Sequence, residues 1–581
     1  MPLAGASHLG KGSCSILVGY NKRLEKKAST RISSIDARIP QRLREIERYH
    51  LSRDLAGHPQ LVTYVATYPC LQLIPSAQRL RERVKSIVKQ FPTFKARIVD
   101  ARTTKPKWSI LSDEQVERGI EALVTDVDLD GLLKGRTGSA NSVGVTIDQR
   151  VSSDLETIFY HELNNKEGLR IRSGGLLWRV ARYHYRESND PEQPQPAFVA
   201  VTINHVVSDG RSGQALLNAL VGDMPLRSYT RPSSCPLPLR PRLAPSLEST
   251  INCFPSIVYI VIQIWLELVI PALPRFLARL VVSEPCWPAA PPRSTSTMAS
   301  PKDVQRFDHF HLTSRQLHAL KALGKRNGVP TLHPTLQLAA VIAHWIVIDS
   351  LAGLSRATKC RDTPSEIVHD TLISVRSSRL GHPSMSGNYI SVLENRLRCP
   401  TTDTDVNIWS EVRKYASWLH CDEGRKRSLY LLGSLQFIPD RQNRVQDDSP
   451  TPTGWEEFLL ERAKRAPPES LSVSNLGYTA CPPGSIGVAW CESATILQSP
   501  FMLNIIVHSE GLDVTFSWMK GAWSEPSCGR DPGDGFAETY RKVLLALSEI
   551  GEHDLKGYDE TDMTFWDIRA RIQINLGEKR E

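Results

Sequence analysis

Hydrophobic and polar positions divide the chain into two parts, each alternating between strand-like and helix-like segments. In the first part, residues 61–73 are rich in β-branched and aromatic side chains, which is typical of a buried strand. Residues 77–91 instead place Leu80 and Val84 at helical spacing, so we expect an amphipathic helix that ends before Pro92. This alternation predicts a mixed α/β fold.

The first part ends in two strands and a helix. Residues 171–185 and 196–206 are predicted strands because they are rich in β-branched and aromatic residues. The residues after 209 are predicted to form a helix with Ser208 or Asp209 as its N-cap, since short polar side chains satisfy the free N–H groups of a first turn.

The second part starts near residue 304 and repeats the alternation. Strand-like segments and segments with helical spacing of hydrophobic residues follow one another in this part. The strands are 305–313, 370–377, 473–478, 501–511 and 512–522, and the helices are 314–328, 331–353 and 536–551.

Proline-dense stretches separate the two parts and are typical of a connecting segment. We therefore divide the chain into a poorly ordered extension at 1–39, an N-terminal subdomain at 40–235, a proline-rich crossover with an apolar helix at 236–303, and a C-terminal subdomain at 304–581. At 581 residues, two large subdomains match ordinary domain sizes.

The crossover contains the most hydrophobic segment of the chain, at 251–283. Its apolar length of about 20 residues would suit a bilayer crossing, but Gln263 and Glu267 lie inside it and Pro271 interrupts it. Three interpretations stay open at this point: a buried crossover helix, an interfacial helix that contacts a membrane peripherally, and a true span.

Composition narrows the function classes. Hydrophobic residues make up 41% and charged residues 23%, which excludes a largely disordered chain and a polytopic membrane protein. The net charge of +9 includes no run of five basic residues, so we expect no nucleic-acid partner. The 11 cysteines form no C-x-x-C pair, and the first residues lack a signal-peptide pattern. We expect an intracellular, cytoplasmic protein, with the endoplasmic reticulum or lipid droplets as the membranes it could contact peripherally.

The residues best suited to chemistry follow the strand at 196–206. His205 and Asp209 form an H-x-x-x-D pattern that is followed by Gly210, which allows a backbone turn that other residues resist. A histidine at the end of a strand can project into a cleft. The alternative is an accidental pattern, since the chain has 16 histidines. A second copy, His50 and Asp54, has no glycine after it and lies in a charged helical stretch, so we assign that copy to a solvated helix face.

Other catalytic patterns are missing from the sequence. It contains no G-x-S-x-G nucleophile elbow and no H-E-x-x-H metal motif, so a serine hydrolase or a zinc peptidase is not supported. We expect no metal site.

The motifs N-H-V-V-S-D-G, R-S-S-R-L, G-N-Y and S-N-L-G occur in that order along the chain. With this series the chain resembles the CoA-dependent acyltransferase superfamily, which includes chloramphenicol acetyltransferase, the plant BAHD enzymes and condensation domains. It looks most like the fungal alcohol O-acetyltransferases, over about residues 40–550. Two departures weigh against other branches: Asn204 stands where condensation domains have a second histidine, and the D-F-G-W-G element of the plant enzymes is absent.

The resemblance implies an architecture of two chloramphenicol-acetyltransferase-like subdomains, with mixed sheets, flanking helices and an active-site channel at their interface. It implies that His205 is the general base, that Asp209 is structural and pairs with Arg376, and that Gly210 provides room. It also places five residues as candidates near substrate or the oxyanion. These are Ser474, Asn475, Asn388, Tyr389 and Trp518. The alternative for each is an ordinary core, strand-end or surface role.

The resemblance further implies an O-acetyltransferase that moves an acetyl group from acetyl-CoA, as a co-substrate, directly to an alcohol. We expect no permanently bound cofactor and a monomer. Two other functions stay open: acetylation of an amine on the same scaffold, and a catalytically silent binding protein. The residues that contact CoA are not predicted.

Overall fold

The computed structural model describes the greater part of the chain. The described residues are 42–136, 147–186, 195–222, 243–274, 277, 305–355, 366–376, 386–398, 400, 406–440, 454–464, 469–519, 532–552 and 562–577. The predicted extension at 1–39, the proline-dense stretch at 284–293 and the part of the proline-dense stretch at 225–250 that precedes residue 243 lie outside them.

A five-stranded sheet forms the centre of the first half, in the order β11-β1-β6-β5-β4. Its strands are β1 Leu61–Tyr68, β4 Val124–Asp128, β5 Trp178–His184, β6 Ala197–Asn204 and β11 Gly487–Glu492. Every residue of β1 and β6 is buried, because alternate side chains enter hydrophobic cores on both faces of the sheet. A separate hairpin pairs β2 Ala96–Val99 with β3 Lys107–Ile110.

A six-stranded sheet forms the centre of the second half, in the order β7-β13-β12-β10-β8-β9. Its strands are β7 Gln305–Thr313, β8 Glu366–Ser374, β9 Ile390–Arg398, β10 Leu471–Tyr478, β12 Phe501–His508 and β13 Gly511–Met519. Strand β10 runs parallel to β8 and β12, whereas the other pairs are antiparallel. The predicted α/β class with mixed sheets is confirmed.

Helices flank both sheets and are numbered here in chain order. In the first half they are α1 Glu45–Leu55, α2 Ala77–Gln90, α3 Asp113–Leu123, α4 Leu129–Arg136, α5 Ile147–Asn164 and α6 Gly210–Val221. The crossover holds α7 Leu247–Thr250, α8 Ile257–Ile264 and α9 Ile270–Ala272. The second half holds α10 Ser314–Arg326, α11 Leu332–Ser355, α12 Ile408–His420, α13 Asp422–Ser434, α14 Gly454–Ala463, α15 Pro532–Glu552 and α16 Phe565–Gly577.

The two halves share the first sheet. Strand β11 comes from the C-terminal part of the sequence, yet it pairs antiparallel with β1 from Val62↔Glu492 to Thr67↔Gly487. This exchange brings the end of β6, where His205 follows, close to the connection between β8 and β9. Residues distant in sequence can therefore meet in one site.

The apolar crossover segment is exposed on the surface. Helix α8 continues through a π-helical stretch, Trp265–Val269, into α9. Ile257 is 78% exposed and Val258 is 69% exposed, so the interpretation as a buried crossover helix is wrong. Among the described residues, no helix is long and apolar enough to cross a membrane.

Candidate active site

His205 lies at the centre of the candidate site, directly after β6. Its backbone N–H donates to the carbonyl of Gln60 over 2.8 Å, which fixes the chain at the strand end. The side chain is buried. The amide nitrogen Nδ2 of Asn388 lies 3.3 Å from His205 Nδ1 and donates to the His205 carbonyl over 2.9 Å. Since Nδ1 is engaged, Nε2 is the ring nitrogen available to a substrate.

Burial keeps the His205 ring neutral. Loss of solvation lowers the pKa of His205 to about 4, although its own backbone carbonyl and the Asp209 carboxylate favour the charged ring. Arg53 adds a small effect in the same direction as burial. A neutral imidazole at ordinary pH can accept a proton, which is the state that a general base requires.

Asp209 does not orient the His205 ring. It is the N-cap of α6, and its Oδ1 accepts from the backbone N–H and the hydroxyl of Ser212, both over 2.9 Å. Arg376 Nη2 donates to the same oxygen over 2.6 Å, and the backbone N–H of Tyr389 donates to Oδ2 over 2.9 Å. Both carboxylate oxygens therefore hold the loop and the second half together.

The Asp209–Arg376 pair is buried, with side-chain exposures of 0% and 7%, respectively. Burial alone would raise the pKa of Asp209, but Arg376 and the hydrogen bonds from Ser212 and Tyr389 outweigh it and hold the pKa below its ordinary value. The carboxylate is therefore charged in the folded protein. Removing one partner of a buried ion pair strongly destabilises the folded protein, because the other charge is then left unpaired.

Gly210 starts α6 at a point of close packing. A Cβ there would lie 2.6 Å from Leu476 Cδ2, and Tyr64 donates its hydroxyl to the Gly210 carbonyl over 2.9 Å. One turn later, a Cβ at Gly213 would lie 2.3 Å from the ring of Tyr64. The two glycines allow α6 to pack directly on β1.

The connection before β9 supplies the other wall of the site. Gly387 has a φ of +138°, a conformation that favours glycine, and its carbonyl accepts from the Asp209 backbone over 3.1 Å. Asn388 and Tyr389 follow it. The Tyr389 hydroxyl donates to the carbonyl of Pro245 over 2.7 Å, so this wall also holds the crossover chain in place.

The second H-x-x-x-D copy is part of the same site, which corrects its assignment to a solvated helix face. His50 and Asp54 are buried. The His50 ring stacks on the His205 ring with centroids 4.3 Å apart and planes 8° from parallel. Asp54 Oδ2 accepts from Asn204 Nδ2 over 3.0 Å, and its Oδ1 accepts from Arg170 over 3.0 Å.

A small cavity of about 20 Å³ adjoins this arrangement. Val206 and Asn388 line it together with Pro245 and Ser246 of the crossover and Glu47 of α1. Burial raises the pKa of Glu47 to about 8 despite its hydrogen bond from the Arg44 backbone, so this side chain is largely a neutral carboxylic acid near pH 7. A neutral carboxyl can donate a hydrogen bond to a ligand.

Three of the residues that the resemblance suggested make no described contact with His205 or Asp209. Asn475 Nδ2 hydrogen-bonds with His333 over 3.3 Å, and Ser474 is buried within β10, which is paired on both sides. Trp518 is a core residue of the second half and packs against Phe501. Among the described contacts, none joins these side chains to His205 or Asp209.

One group of side chains could hold a metal ion. Among the described residues, candidate ligand atoms of His311, His508 and Asp513 lie within 4.8 Å of one another, and His309 Nε2 donates to the same carboxylate over 2.9 Å. The group belongs to β7, β12 and β13, which supply no residue to the arrangement around His205. Imidazoles hydrogen-bond to both oxygens of its carboxylate.

Comparison with known proteins gives only distant similarities. No protein-family model and no curated protein sequence matches the chain. A wax ester synthase/diacylglycerol acyltransferase from Marinobacter aquaeolei VT8 is 11% identical, with 88% of this chain and 99% of that chain covered and a TM-score of 0.47. A trichothecene 15-O-acetyltransferase from Fusarium sporotrichioides is 11% identical, with coverages of 89% and 99% and a TM-score of 0.46. The condensation domain of a monacolin K polyketide synthase is 10% identical, with coverages of 90% and 98% and a TM-score of 0.47. Similarity at this level carries no inference about activity.

Proposed function

We propose that the protein transfers an acyl group from a CoA thioester to the hydroxyl of an alcohol, with acetyl as the expected acyl group. The observation that carries the proposal is the state of His205. Its imidazole is buried and neutral, its Nδ1 is engaged by Asn388, and Asn388 also lines the adjoining cavity. A proton acceptor beside a cavity is what activation of an alcohol requires.

In the proposed reaction, His205 Nε2 accepts the proton of the alcohol as its oxygen attacks the thioester carbonyl. A C–O bond forms and a tetrahedral intermediate results. The intermediate collapses with cleavage of the C–S bond, and His205 returns the proton to the departing thiolate. The products are an ester and free CoA, and the base is regenerated. General-base assistance of this kind contributes about 10²–10⁴-fold.

Direct transfer fits the surroundings of the ring better than a covalent acyl-enzyme. Among the described residues, no serine or cysteine side chain hydrogen-bonds to the His205 ring, as an activated nucleophile would. Asp209 is held by Arg376 and by Tyr389, so His205 also lacks the carboxylate partner of a hydrolase triad. We propose that Asp209 holds the loop after β6 against the connection that precedes β9.

The acceptor hydroxyl is expected to enter the small cavity lined by Asn388 and by Pro245 and Ser246 of the crossover. The neutral carboxyl of Glu47 supplies a polar group in a lining that is otherwise partly apolar. Glu47 would therefore bind a second polar group of the acceptor.

Incubation with labelled acetyl-CoA and a panel of alcohols and amines, followed by mass spectrometry, tests the proposal. We expect an acetylated alcohol whose label is released by mild base, since esters are cleaved under conditions that leave amides intact. A base-stable product from an amine would instead establish N-acetylation on the same scaffold. If the folded protein transfers no label to any acceptor, the proposal is wrong.

A matched control separates specific from general effects in this assay. His318 lies on the exposed face of α10, where its ring hydrogen-bonds only within its own helix. His318→Ala should transfer label at the wild-type rate, and any loss there would point to damage unrelated to the site.

A further inference from the structure

The crossover and the end of α13 with the turn after it together present an apolar surface to solvent. Its members are Phe254, Ile257, Val258, Val261, Ile262, Ile264, Trp265, Leu266, Leu431 and Phe437, which are each between 39% and 78% exposed. We refer to these residues as the apolar surface. Large exposed apolar patches mark sites of association, because leaving them in water is unfavourable.

The helix that carries most of the apolar surface packs firmly against the rest of the protein. Ser256 caps α8 by accepting from the Tyr259 backbone, and the Tyr259 ring packs on Tyr430 of α13 with centroids 5.4 Å apart. Cys253 is buried against the same helix, where a Cβ at Gly433 would lie 1.7 Å from its carbonyl oxygen. The helix is therefore packed on the protein along one side only.

The width of the exposed side indicates what covers it. At about 100° per residue, the exposed positions of α8 from Ile264 through Ile257 to Ile262 span an arc of about 160°, whereas Tyr259 and Gln263 face the protein. A helix that packs on a protein partner needs an apolar stripe of about 100°. The wider arc of α8 fits hydrocarbon better than a second copy of this chain.

The chemistry of the segment agrees with a lipid surface. Residues 251–266 contain no Asp, Glu, Lys or Arg, so insertion would desolvate no charge. Trp265 is 48% exposed, and tryptophan is favoured at membrane–water interfaces. We propose that the apolar surface docks on a lipid bilayer from one side, without crossing it.

Exposed charges beside the apolar surface predict only a modest preference for anionic lipid. Arg425, Lys426 and Arg427 of α13 are exposed, but Arg427 pairs with Glu423 over 3.5 Å, and Asp422 is also exposed. Binding should therefore depend mainly on apolar contact. Vesicles of neutral phosphatidylcholine should suffice.

Docking would place the bilayer near the proposed acceptor cavity, an implication that rests on the proposed function. Pro245 and Ser246 line that cavity, and α8 begins at Ile257 of the same chain segment. A lipophilic alcohol dissolved in the bilayer would then be the favoured acceptor.

Flotation of the full chain with phosphatidylcholine vesicles in a density gradient tests the docking. Wild type should float, and Ile257→Asp/Val261→Asp should reduce the floating fraction at least tenfold, because two charges would enter the bilayer boundary. Leu73→Asp/Ile110→Asp is the matched control, since these residues are 49% and 42% exposed on other elements. It should float like wild type.

Failure of docking and failure of acyl transfer are distinguishable. The proposal is overturned if wild type does not float, if the Ile257 and Val261 variant floats equally, or if light scattering shows a dimer that this variant dissociates. Loss of flotation in a protein that acetylates no alcohol would leave docking supported and the proposed function wrong. With an active enzyme, the variant should lose activity on long-chain alcohols in vesicles and keep activity on short soluble alcohols.

A second inference rests on the stacked histidines. We infer that His50 is a positioning residue that fixes the plane of the His205 ring. The rings are 4.3 Å apart and nearly parallel, and among the groups around the buried His50 ring only the Gln60 side chain favours a proton on it. A buried imidazole with so little polar support is costly, so a role in the site explains its presence better than stability does.

Two features of the stacked His50 and His205 rings favour the role of His205 as a general base. Asn388 restrains one edge of the His205 ring, and the face-to-face contact restrains its rotation. Burial, the adjacent His205 and Arg53 together lower the pKa of His50 well below its ordinary value, while the Gln60 side chain opposes this. His50 is therefore a neutral wall that keeps water from the base.

Comparison of His50→Phe with His50→Ala tests the role. Phenylalanine keeps a stacked ring without ring nitrogens, so activity should stay within a few fold and the pH profile of kcat/KM should be unchanged. Alanine should reduce kcat at least tenfold and move the acid limb upward towards 6.5, since water reaches His205. The titratable and charged groups around the pair are Arg53, Asp209 and the two histidines themselves. Equal activity in all three proteins, or equal losses in both variants without a shift of the limb, would overturn the inference.

Discussion

The chain contains two H-x-x-x-D segments that meet face to face and differ in almost every chemical respect. His205 has one nitrogen engaged by Asn388 and the other free for a substrate, whereas the His50 ring packs face to face on His205 and has the Gln60 side chain as its polar neighbour. Asp209 caps a helix, whereas Asp54 lies within one. One pattern in the sequence thus produces a base and the ring that packs on it.

The two aspartates also differ in the direction in which folding shifts their pKa. Burial raises the pKa of Asp54 in spite of Arg170, whereas Arg376 and backbone donors hold the pKa of Asp209 below its ordinary value. The charged form is therefore favoured by folding at Asp209 and disfavoured at Asp54. The difference shows that neighbours from other elements, and not the local pattern, decide what an H-x-x-x-D segment does.

The largest expected effect is on the histidine that acts as base. His205→Ala should lower kcat for acyl transfer by about 10²–10⁴-fold, because the alcohol then has no proton acceptor. The melting temperature should change little, since the alanine removes no ion pair. Steady-state kinetics and thermal unfolding on one preparation check both. Full activity in the variant would contradict the assignment of the base.

Neutralising Asp209 should have the next largest effect. Asp209→Asn leaves the Arg376 guanidinium buried without its counter-charge, so the free energy of unfolding should fall by about 3–5 kcal/mol. Acyl transfer should fall as well, because the loop that carries His205 loses its connection to Tyr389. Chemical denaturation and kinetics measure the two losses. A loss of activity with unchanged stability would show that the structural role is wrong.

The corresponding change in the other segment should be milder. Asp54→Asn removes a carboxylate whose charged form is already disfavoured, and the second Arg170 contact, to the Asp54 backbone carbonyl, is kept. The expected loss of unfolding free energy is about 1–3 kcal/mol. Denaturation of both Asn variants under one condition checks the order. If Asp54→Asn is the more destabilising, the contrast between the two aspartates is not as described.

The smallest effects concern the glycines of α6, which follow only the His205–Asp209 copy. Gly210→Ala brings a methyl group against the movable end of Leu476, so we expect a loss of about 1 kcal/mol. Gly213→Ala meets the ring of Tyr64 and should lose about 1–3 kcal/mol. Gly168→Ala is the matched control, since its Cβ would meet nothing within 4 Å. Thermal unfolding of the three variants should reproduce this order.

Local chemistry let much of the fold be predicted from sequence. The strand at 305–313 and a helix starting at 314 were recognisable from the change in the spacing of hydrophobic residues, and Thr313 and Gln316 form a capping box at that boundary. The cap at Asp209 was recognisable because short polar side chains suit the first turn of a helix. Signals of this kind lie within a few residues of one another.

The rest depends on contacts between distant residues. Helix α1 looked solvated because it is charged, yet Arg53 donates to Thr495 and Asp54 is bound by Arg170. Each charge is satisfied by a residue far along the chain, so its burial could not be foreseen. The exposed apolar helix at 257–264 is the converse case, since its hydrophobicity favoured a core position that the structure does not give it.

The pH dependence of kcat/KM, measured for wild type and His205→Ala, tests the central claim most directly. A base must be unprotonated to act, so the wild-type value should fall only as the pH drops towards about 4, the pKa to which burial lowers His205. The nearby groups that could modify this limb are His50, Arg53 and Asp209. We expect this limb to be absent from the residual activity of His205→Ala. The same limb in both proteins would contradict it, because another group would then carry the proton.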